Sequence, residues 1–264
     1  MKRNSFAKWL YICLICCLFL PFESLQAAEE DTPEKNKIKA INSIELKQKI
    51  DAAYPFTLIS TLSSIEFKEL SIRDSINIPS SKFSKDYSLV PNDKARMLIF
   101  YDKGPGMNKS RVAAKKAKDA GYNNIMIYEG GLTAWIRNRF LVTRQVKYPK
   151  VKIPSMTLGE VDQISSDSLV LLDIRGEDTK LKDDDHIKSE NSISIQLDDL
   201  EEQYTDLPKD KKIVIVDHAG KQVDICARFL TMKGYTDLAV LEGGAGVLLE
   251  KEQTNTQDKE AEHH

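Results

Sequence analysis

The chain has few cysteines, and their positions limit what they can do. Only four occur in 264 residues, and three of them, Cys13, Cys16 and Cys17, lie in an apolar run near the start. We expect that run to be removed, which leaves Cys226 as the single thiol of the mature protein. A chain with one cysteine forms no internal disulfide, so a disulfide-stabilised scaffold is excluded for the mature chain.

The sequence also lacks a marked excess of either charge. Its 38 basic and 40 acidic residues give a net charge of −2, and its aromatic residues are scattered. Nucleic-acid binding proteins carry a basic surface, so we predict no nucleic-acid partner. The length is sufficient for two domains of ordinary size, each with its own hydrophobic core.

Nor does the chain contain an apolar run of about 20 residues, the length that crosses a bilayer. The run Trp9–Phe22 is shorter and is followed by small residues at Ala27 and Ala28. Three basic residues precede it: Lys2, Arg3 and Lys8. This pattern is typical of a secretory signal peptide. We predict a signal peptide over residues 1–28, cleaved near Ala27 or Ala28, and a periplasmic or secreted mature protein. Two alternatives stay open, an uncleaved membrane anchor and a lipoprotein signal ending at Cys17.

Two stretches of the remaining chain share one layout, a buried strand, a glycine-bearing loop and a helix. They are Met97–Ala120 and Ile213–Met232. A strand that enters a helix through a tight loop directs the loop N–H groups and the positive helix end at one point, which is an anion-binding geometry. The first loop residue is an aspartate in both stretches, Asp102 and Asp217.

Hydrophobic patterning places these stretches in an α/β fold. Ser43 is expected to cap a helix over Ile44–Ile50, in which Glu45 and Lys49 form an i,i+4 pair. Further elements are a strand at Phe56–Ile59, a short helix around Glu66, a strand at Ser75–Pro79, a strand at Ile125–Tyr128 and a helix containing Trp135. Alternating strands and helices predict a mainly parallel sheet with helices on both faces.

The pattern repeats at a fixed offset. The segments Leu58–Leu62, Gly121–Tyr122 and Glu129–Gly131 recur 113 residues later, which indicates a duplicated domain because solenoid periods are about 20 to 50 residues. We predict domains over 38–142 and 155–250, a proline-containing linker over 143–154 and a disordered tail over 251–264.

The chain resembles the rhodanese family, as a tandem pair of rhodanese-like domains. The matching segments of the first copy are EFKEL at 66–70, SINIP at 75–79, LIFY at 98–101, AKDAGY at 117–122 and IYEGGLTAW at 127–135. Those of the second are LLDIR at 171–175, HI at 186–187, IVIV at 213–216, MKGY at 232–235 and VLEGG at 240–244. The resemblance covers nearly the whole mature chain.

The resemblance implies a loop cysteine that carries sulfur as a persulfide, because a thiolate is a soft nucleophile. That position corresponds to Asp102 and Asp217, and a carboxylate forms no persulfide. We therefore expect no sulfurtransferase activity and no catalytic residue. The family's aspartate and arginine near the first strand correspond to Asp173 and Arg175 in the second copy but to Ser60 and Leu62 in the first. The loop-closing arginine corresponds to Lys109 and to Gln222.

Two interpretations of the aspartates remain. In the first, each carboxylate accepts the loop N–H groups, supplies the negative charge of a substrate and acts as a structural plug. In the second, Asp217 with His218 and His186 binds a cation or acts as a base. The residues that could form a ligand loop are His218, Gly220, Lys221, Gln222, Asp173, Arg175, His186 and Lys109. Consecutive residues seldom converge on one ion, so the run Asp183–His186 is expected to be a solvated turn.

Three classes of function follow. The preferred one is a binding or scaffold module outside the cytoplasm, with a protein partner and no cofactor or metal. The second is a residual sulfurtransferase, or a protein that handles sulfur or selenium oxyanions. The third is a structural subunit of an extracytoplasmic assembly. Cys226 is expected to be a buried core residue, and membrane attachment is not expected but stays open.

Overall fold

The computed structural model describes residues 38–83, 88–176, 190–218, 220 and 222–248. The elements of the first half are β1 (Lys39–Ile41), α1 (Ser43–Asp51), β2 (Thr57–Ser60), α2 (Ser64–Glu69), β3 (Ser71–Ile72), β4 (Ile76–Asn77), β5 (Leu98–Tyr101), α3 (Lys109–Asp119), β6 (Ile125–Tyr128), α4 (Gly131–Arg137) and β7 (Val142–Thr143). Those of the second half are β8 (Ser155–Met156), α5 (Leu158–Asp162), β9 (Leu169–Asp173), β10 (Ser192–Ser194), α6 (Leu200–Gln203), β11 (Lys212–Val216), α7 (Val223–Met232) and β12 (Leu238–Leu241), with 3₁₀ turns at Ser166–Ser168 and Tyr204–Asp206.

The strands form two parallel five-stranded sheets with the same topology. The first sheet has the order β1-β6-β5-β2-β4, and the second has the matching order β8-β12-β11-β9-β10. The central strands β5 and β11 occupy equivalent places. A two-stranded antiparallel pair, β3 with β7, accompanies the first sheet. The duplicated α/β architecture predicted from the sequence repeats is thus confirmed, and the two halves are called the first and second domain below.

Both faces of each sheet are covered, as the continuous apolar strands predict. In β11, Ile213 and Ile215 belong to one buried cluster, while Val214 and Val216 belong to another. Strand β5 divides in the same way. Alternate residues of a strand face opposite sides, so a fully apolar strand is stable only where helices cover both. Trp135 and Tyr128 lie in the core.

The start of α1 differs from the sequence prediction. Asn42, rather than Ser43, is the N-cap, and its side chain accepts from the N–H groups of Ile44 and Glu45. The Glu45 carboxylate accepts a hydrogen bond from the Asn42 N–H at 3.0 Å, which completes a capping box. The expected contact from Glu45 to Lys49 is therefore replaced by a local one, and Lys49 Nζ lies 4.2 Å from the centre of the Tyr54 ring.

The segment between the domains is packed against both of them. The N–H groups of Gln145 and Val146 donate to the carbonyl of Lys68 at 2.8 and 2.9 Å. Tyr148 is buried in a core cluster of the second domain, where its ring meets that of Phe229 edge-on. The proline-containing segment predicted as a linker therefore contributes to the interdomain contact.

Several predictions concern residues outside the described ranges. These are the signal peptide over 1–28, the acidic run with His186, the loop residue Lys221 and the tail over 251–264. Within the described ranges, no helix is long and apolar enough to cross a membrane.

Candidate functional site

The two candidate loops lie at the carboxyl ends of the central strands. Asp102 follows β5 and precedes α3, while Asp217 follows β11 and precedes α7. Ligands of parallel α/β sheets bind at this edge, since the loops there carry the helix N-termini. The structure therefore places both aspartates at the position where an anion would be expected to bind.

In the first loop the carboxylate of Asp102 accepts three hydrogen bonds. Its Oδ1 accepts from the Gly104 N–H at 2.8 Å. Its Oδ2 accepts from the Ser110 N–H at 3.0 Å and from the Ser110 hydroxyl at 2.8 Å. Asp102 is buried, and Ser110 lies in the first turn of α3. The carboxylate thus binds the donors that a substrate anion would use.

The second loop repeats this arrangement with two donors among its described residues. Asp217 is buried, its Oδ1 accepts from the His218 N–H at 2.7 Å, and its Oδ2 accepts from the Gln222 N–H at 3.0 Å. The side chain of Gln222 is buried, and its Nε2 has no hydrogen-bond partner among the described residues. His218 and Gly220 are exposed, and Gly220 has a φ of +69°.

Asp173 and Arg175 form a buried ion pair beside the second loop. Arg175 donates from Nε and Nη2 to the two oxygens of Asp173, both at 2.9 Å. Both side chains are almost completely buried. Strands β9 and β11 are neighbours, with Asp173 opposite Val216, so the pair lies at the same sheet edge as Asp217. The bidentate geometry fixes the orientation of the Arg175 guanidinium against Asp173.

The first domain has no such pair at the equivalent positions. Ser60 and Leu62 are both buried, and the Leu62 N–H contacts the Ser60 hydroxyl at 3.4 Å. A small polar side chain and an apolar one therefore fill this part of the first domain. The difference follows directly from the sequence.

Lys109, one of the residues predicted to form a ligand loop, makes an ion pair with the second domain. Its Nζ lies 2.6 Å from Asp198 Oδ1 in the second domain. Asp198 also accepts from the Ser81 hydroxyl at 2.9 Å. Asp198, Ser81 and Ser110 were not among the residues predicted from the sequence. Of these three, only Ser110 could have been predicted from the sequence, because a serine in the first helical turn often forms a hydrogen bond with a preceding loop residue.

Cys226 is fully buried inside α7 and lies outside both loops. Burial raises the pKa of its thiol far above the usual value, and the negative charge of Asp217 raises it further. The neutral thiol is a poor nucleophile. Its position in the core agrees with the prediction from the helix pattern.

Metal binding requires several ligands at one place. Within the described residues, no group of three or more His, Cys, Asp and Glu side chains could hold a metal ion. Because His186 lies outside those residues, its proposed role beside Asp217 and His218 stays a prediction.

The family model for the rhodanese-like domain matches the chain twice, over residues 43–138 and 157–247. The chain belongs to the rhodanese-like domain family. These two spans contain both aspartate loops and every strand of the two sheets except the edge strands β1 and β8, so this rhodanese-like protein is a tandem of two such domains.

The rhodanese-like chain is similar to several solved structures, of which three are described here. A thiosulfate sulfurtransferase from Pseudomonas aeruginosa is 19% identical over 77% of this chain and 41% of that one, with a TM-score of 0.38. A protein from Bacillus halodurans is 21% identical over 40% and 77%, with a TM-score of 0.38. A rhodanese-related protein from Thermoplasma volcanium is 25% identical over 40% and 97%, with a TM-score of 0.34. The chain spans less than half of the Pseudomonas enzyme. No curated protein matches it.

Proposed function

We propose that this protein is a catalytically inactive tandem rhodanese-like protein that acts outside the cytoplasm as a binding or scaffold module. It would act there as a subunit of an extracytoplasmic assembly. The observation that carries the proposal is the occupation of both loops by the chain's own carboxylates. Asp102 and Asp217 accept the loop N–H groups at 2.7 to 3.0 Å.

The chemistry of sulfur transfer supports inactivity. In that reaction a thiolate attacks thiosulfate, the S–S bond of thiosulfate breaks, sulfite leaves, and the thiolate retains the outer sulfur as a persulfide. A carboxylate at Asp102 or Asp217 cannot form this bond. Cys226 lies inside α7 with a fully buried thiol whose pKa is raised, and a neutral, buried thiol is a poor nucleophile.

A thiosulfate:cyanide assay tests this part of the proposal. The wild-type protein and the variants Cys226→Ala and Asp217→Asn are compared for thiocyanate formation. We expect all three to stay at the rate of the protein-free control. Thiocyanate formation by the wild type that disappears in either variant would overturn the proposal and identify the residue responsible.

The scaffold role is tested by site-specific crosslinking in the native compartment. A photo-crosslinking residue at His218, at the carboxyl edge of the second sheet, is compared with one at exposed Asp167, just before β9 at the opposite edge. We expect one defined protein to crosslink from position 218 and not from position 167. Identical products from both positions, or none from 218, would contradict a partner at this loop.

Export is tested by the mass of the mature protein. Cleavage near Ala27 or Ala28 would give a chain that begins close to Glu29. An intact N-terminus in the membrane fraction would instead favour the anchor, and a lipid-modified Cys17 would favour the lipoprotein.

A second function is favoured by one feature of the second loop. Gln222 Nε2 is buried and has no hydrogen-bond partner in the described part of the chain, and an unpaired buried donor is costly. A sulfur or selenium oxyanion would satisfy it, in line with a residual sulfurtransferase or an oxyanion-handling protein. Titration with thiosulfate and selenite tests this role. Binding heat that disappears in Gln222→Leu would support it, while no heat in the wild type would exclude it.

A further inference from the structure

The two rhodanese-like domains meet along a strip of opposite charges, here called the interdomain seam. Three lysines of the first domain face four consecutive or near-consecutive carboxylates around α6 of the second. The contacts join Lys68 to Glu201, Lys82 to Asp199 and Glu202, and Lys109 to Asp198. One contact of opposite polarity joins Glu69 to Arg228 of α7.

The innermost contact of the seam is the most buried. The side chains of Lys109 and Asp198 are 6% and 5% exposed, and their charged atoms are 2.6 Å apart. The second oxygen of Asp198 accepts from the Ser81 hydroxyl, so both oxygens of this carboxylate are bound by side chains of the first domain. Removing one partner of such a pair leaves a buried charge without compensation, which strongly destabilises the arrangement.

The outer contacts are more exposed, and salt screens them more effectively. Burial alone would lower the pKa of Lys82, but its contacts with Glu202 and Asp199 outweigh this and raise it. For Glu201, burial opposes ionisation, but the hydrogen bonds from Lys68 and Ser64, with the charges of Lys68 and Lys233, outweigh burial and lower its pKa. The carboxylates of the second domain thus favour the charged form of Lys82, and the first domain's Lys68 favours the charged form of Glu201. The outer pairs therefore support closure, while the inner pair fixes its geometry.

The inner pair is directly connected to the first loop. Lys109 and Ser110 are consecutive residues at the start of α3. Lys109 contacts Asp198, and Ser110 donates two hydrogen bonds to Asp102. The first turn of α3 is thus held from one side by the loop aspartate and from the other by the second domain. A displacement of either contact moves the same helical turn.

We propose that the Lys109–Asp198 pair is a latch that couples the first aspartate loop to the closure of the two domains. When Asp102 holds Ser110, the first turn of α3 presents Lys109 to Asp198 and the seam closes. When the contact between Asp102 and Ser110 is lost, the Lys109–Asp198 pair weakens. Loss of that pair likewise weakens the contact in the loop, because coupling between two sites is reciprocal. The loop of the first domain then acts as a regulator of interdomain contact rather than as an independent binding site.

Hydrogen exchange of the full-length protein tests the latch through variants on both sides of it. Asp198→Asn removes the charge in the second domain, and Asp102→Asn removes it in the loop. We expect Asp198→Asn to accelerate exchange of the amides over 104–110, and Asp102→Asn to accelerate exchange over 198–203. Each effect should be about tenfold, within the usual range of coupling between sites. Strand β12 should be unaffected in both.

A matched control is available on the same helix. Arg111 contacts Glu129 in an exposed pair within the first domain, so Glu129→Gln removes an ion pair of α3 without touching the seam. It should leave exchange over 198–203 unchanged. Acceleration confined to the mutated side in both Asp198→Asn and Asp102→Asn would overturn the latch.

A milder variant covers the case in which Asp198→Asn does not fold. Ser81→Ala removes one contact of Asp198 and keeps every charge. We expect a smaller acceleration over 104–110 in the same direction. Wild-type exchange over 104–110 in this variant, with acceleration limited to 198–203, would equally overturn the proposal.

Discussion

Gly244 lies directly against the backbone of Asp217. A β-carbon at Gly244 would be 2.3 Å from the Asp217 carbonyl oxygen, and Gly244 has a φ of +61°. The same oxygen accepts from the Ala245 N–H at 3.0 Å. The first domain repeats the relationship between Gly131 and Asp102, where the distance would be 2.6 Å. The second glycine of each Glu-Gly-Gly segment therefore lets the following helical turn support the aspartate loop.

Gly244→Ala is expected to lower the free energy of unfolding by about 2 kcal/mol or more, because it combines a left-handed backbone conformation with a steric clash. Gly246→Ala is the matched control, since a β-carbon there meets no atom within 4 Å. Urea unfolding of both variants measures the difference. Equal stability of the two would show that the loop can move away from position 244 at no cost.

The two loop aspartates should differ in their contribution to stability. From the residues that the structure describes, Asp102 accepts three hydrogen bonds and Asp217 accepts two. Each buried donor left without an acceptor costs about 1–3 kcal/mol. We therefore expect Asp102→Ala to be more destabilising than Asp217→Ala in urea unfolding. Ser110→Ala removes one of the three donors, so in its presence Asp102→Ala should be less destabilising and closer to Asp217→Ala. A larger loss of unfolding free energy in Asp217→Ala than in Asp102→Ala would contradict this account.

Arg175→Met should strongly destabilise the second domain. It leaves the buried carboxylate of Asp173 without its partner, at a cost of about 3–5 kcal/mol. The double variant Asp173→Asn with Arg175→Met removes both charges and should recover part of this loss. Thermal unfolding followed by circular dichroism compares the two. If the double variant is less stable than Arg175→Met alone, the destabilisation comes from lost packing and not from the unpaired charge of Asp173.

Tyr148 should make stability depend on pH at alkaline values. Burial, together with the charges of Glu201 and Glu69, raises the pKa of Tyr148 to about 12, whereas an unfolded tyrosine has a pKa of about 10. Because the unfolded state releases the proton first, this contribution is complete below pH 10 and is lost as the pH rises towards 12.

Tyr148→Phe should therefore flatten the decline of the unfolding free energy between pH 10 and 12. Tyr54→Phe controls for the loss of a phenol at an exposed position and should flatten it less. If the unfolding free energy declines equally steeply with pH in the wild type and both variants, the pKa of Tyr148 is not raised by folding.

Much of the fold could be predicted because it depends on local patterns. The apolar strand at Ile125–Tyr128 has the bounds expected from its sequence. The helix that contains Cys226 buries that residue, as its apolar stripe predicts. The predicted N-cap of α1 was wrong by one residue, because Asn42 and Ser43 both have side chains suited to an N-cap. Only the geometry of the chain entering the helix distinguishes them.

The sequence by itself determined the duplicated strand–loop–helix units and the aspartate at the start of each loop. It determined these because strand periodicity, turn glycines and residue identity act over short distances. Tertiary structure alone decided that Lys109 contacts Asp198 of the second domain. Those residues are 89 positions apart, and whether a lysine meets a distant carboxylate depends on how two separately formed sheets pack together. That packing is a property of complete surfaces, and no local pattern records it.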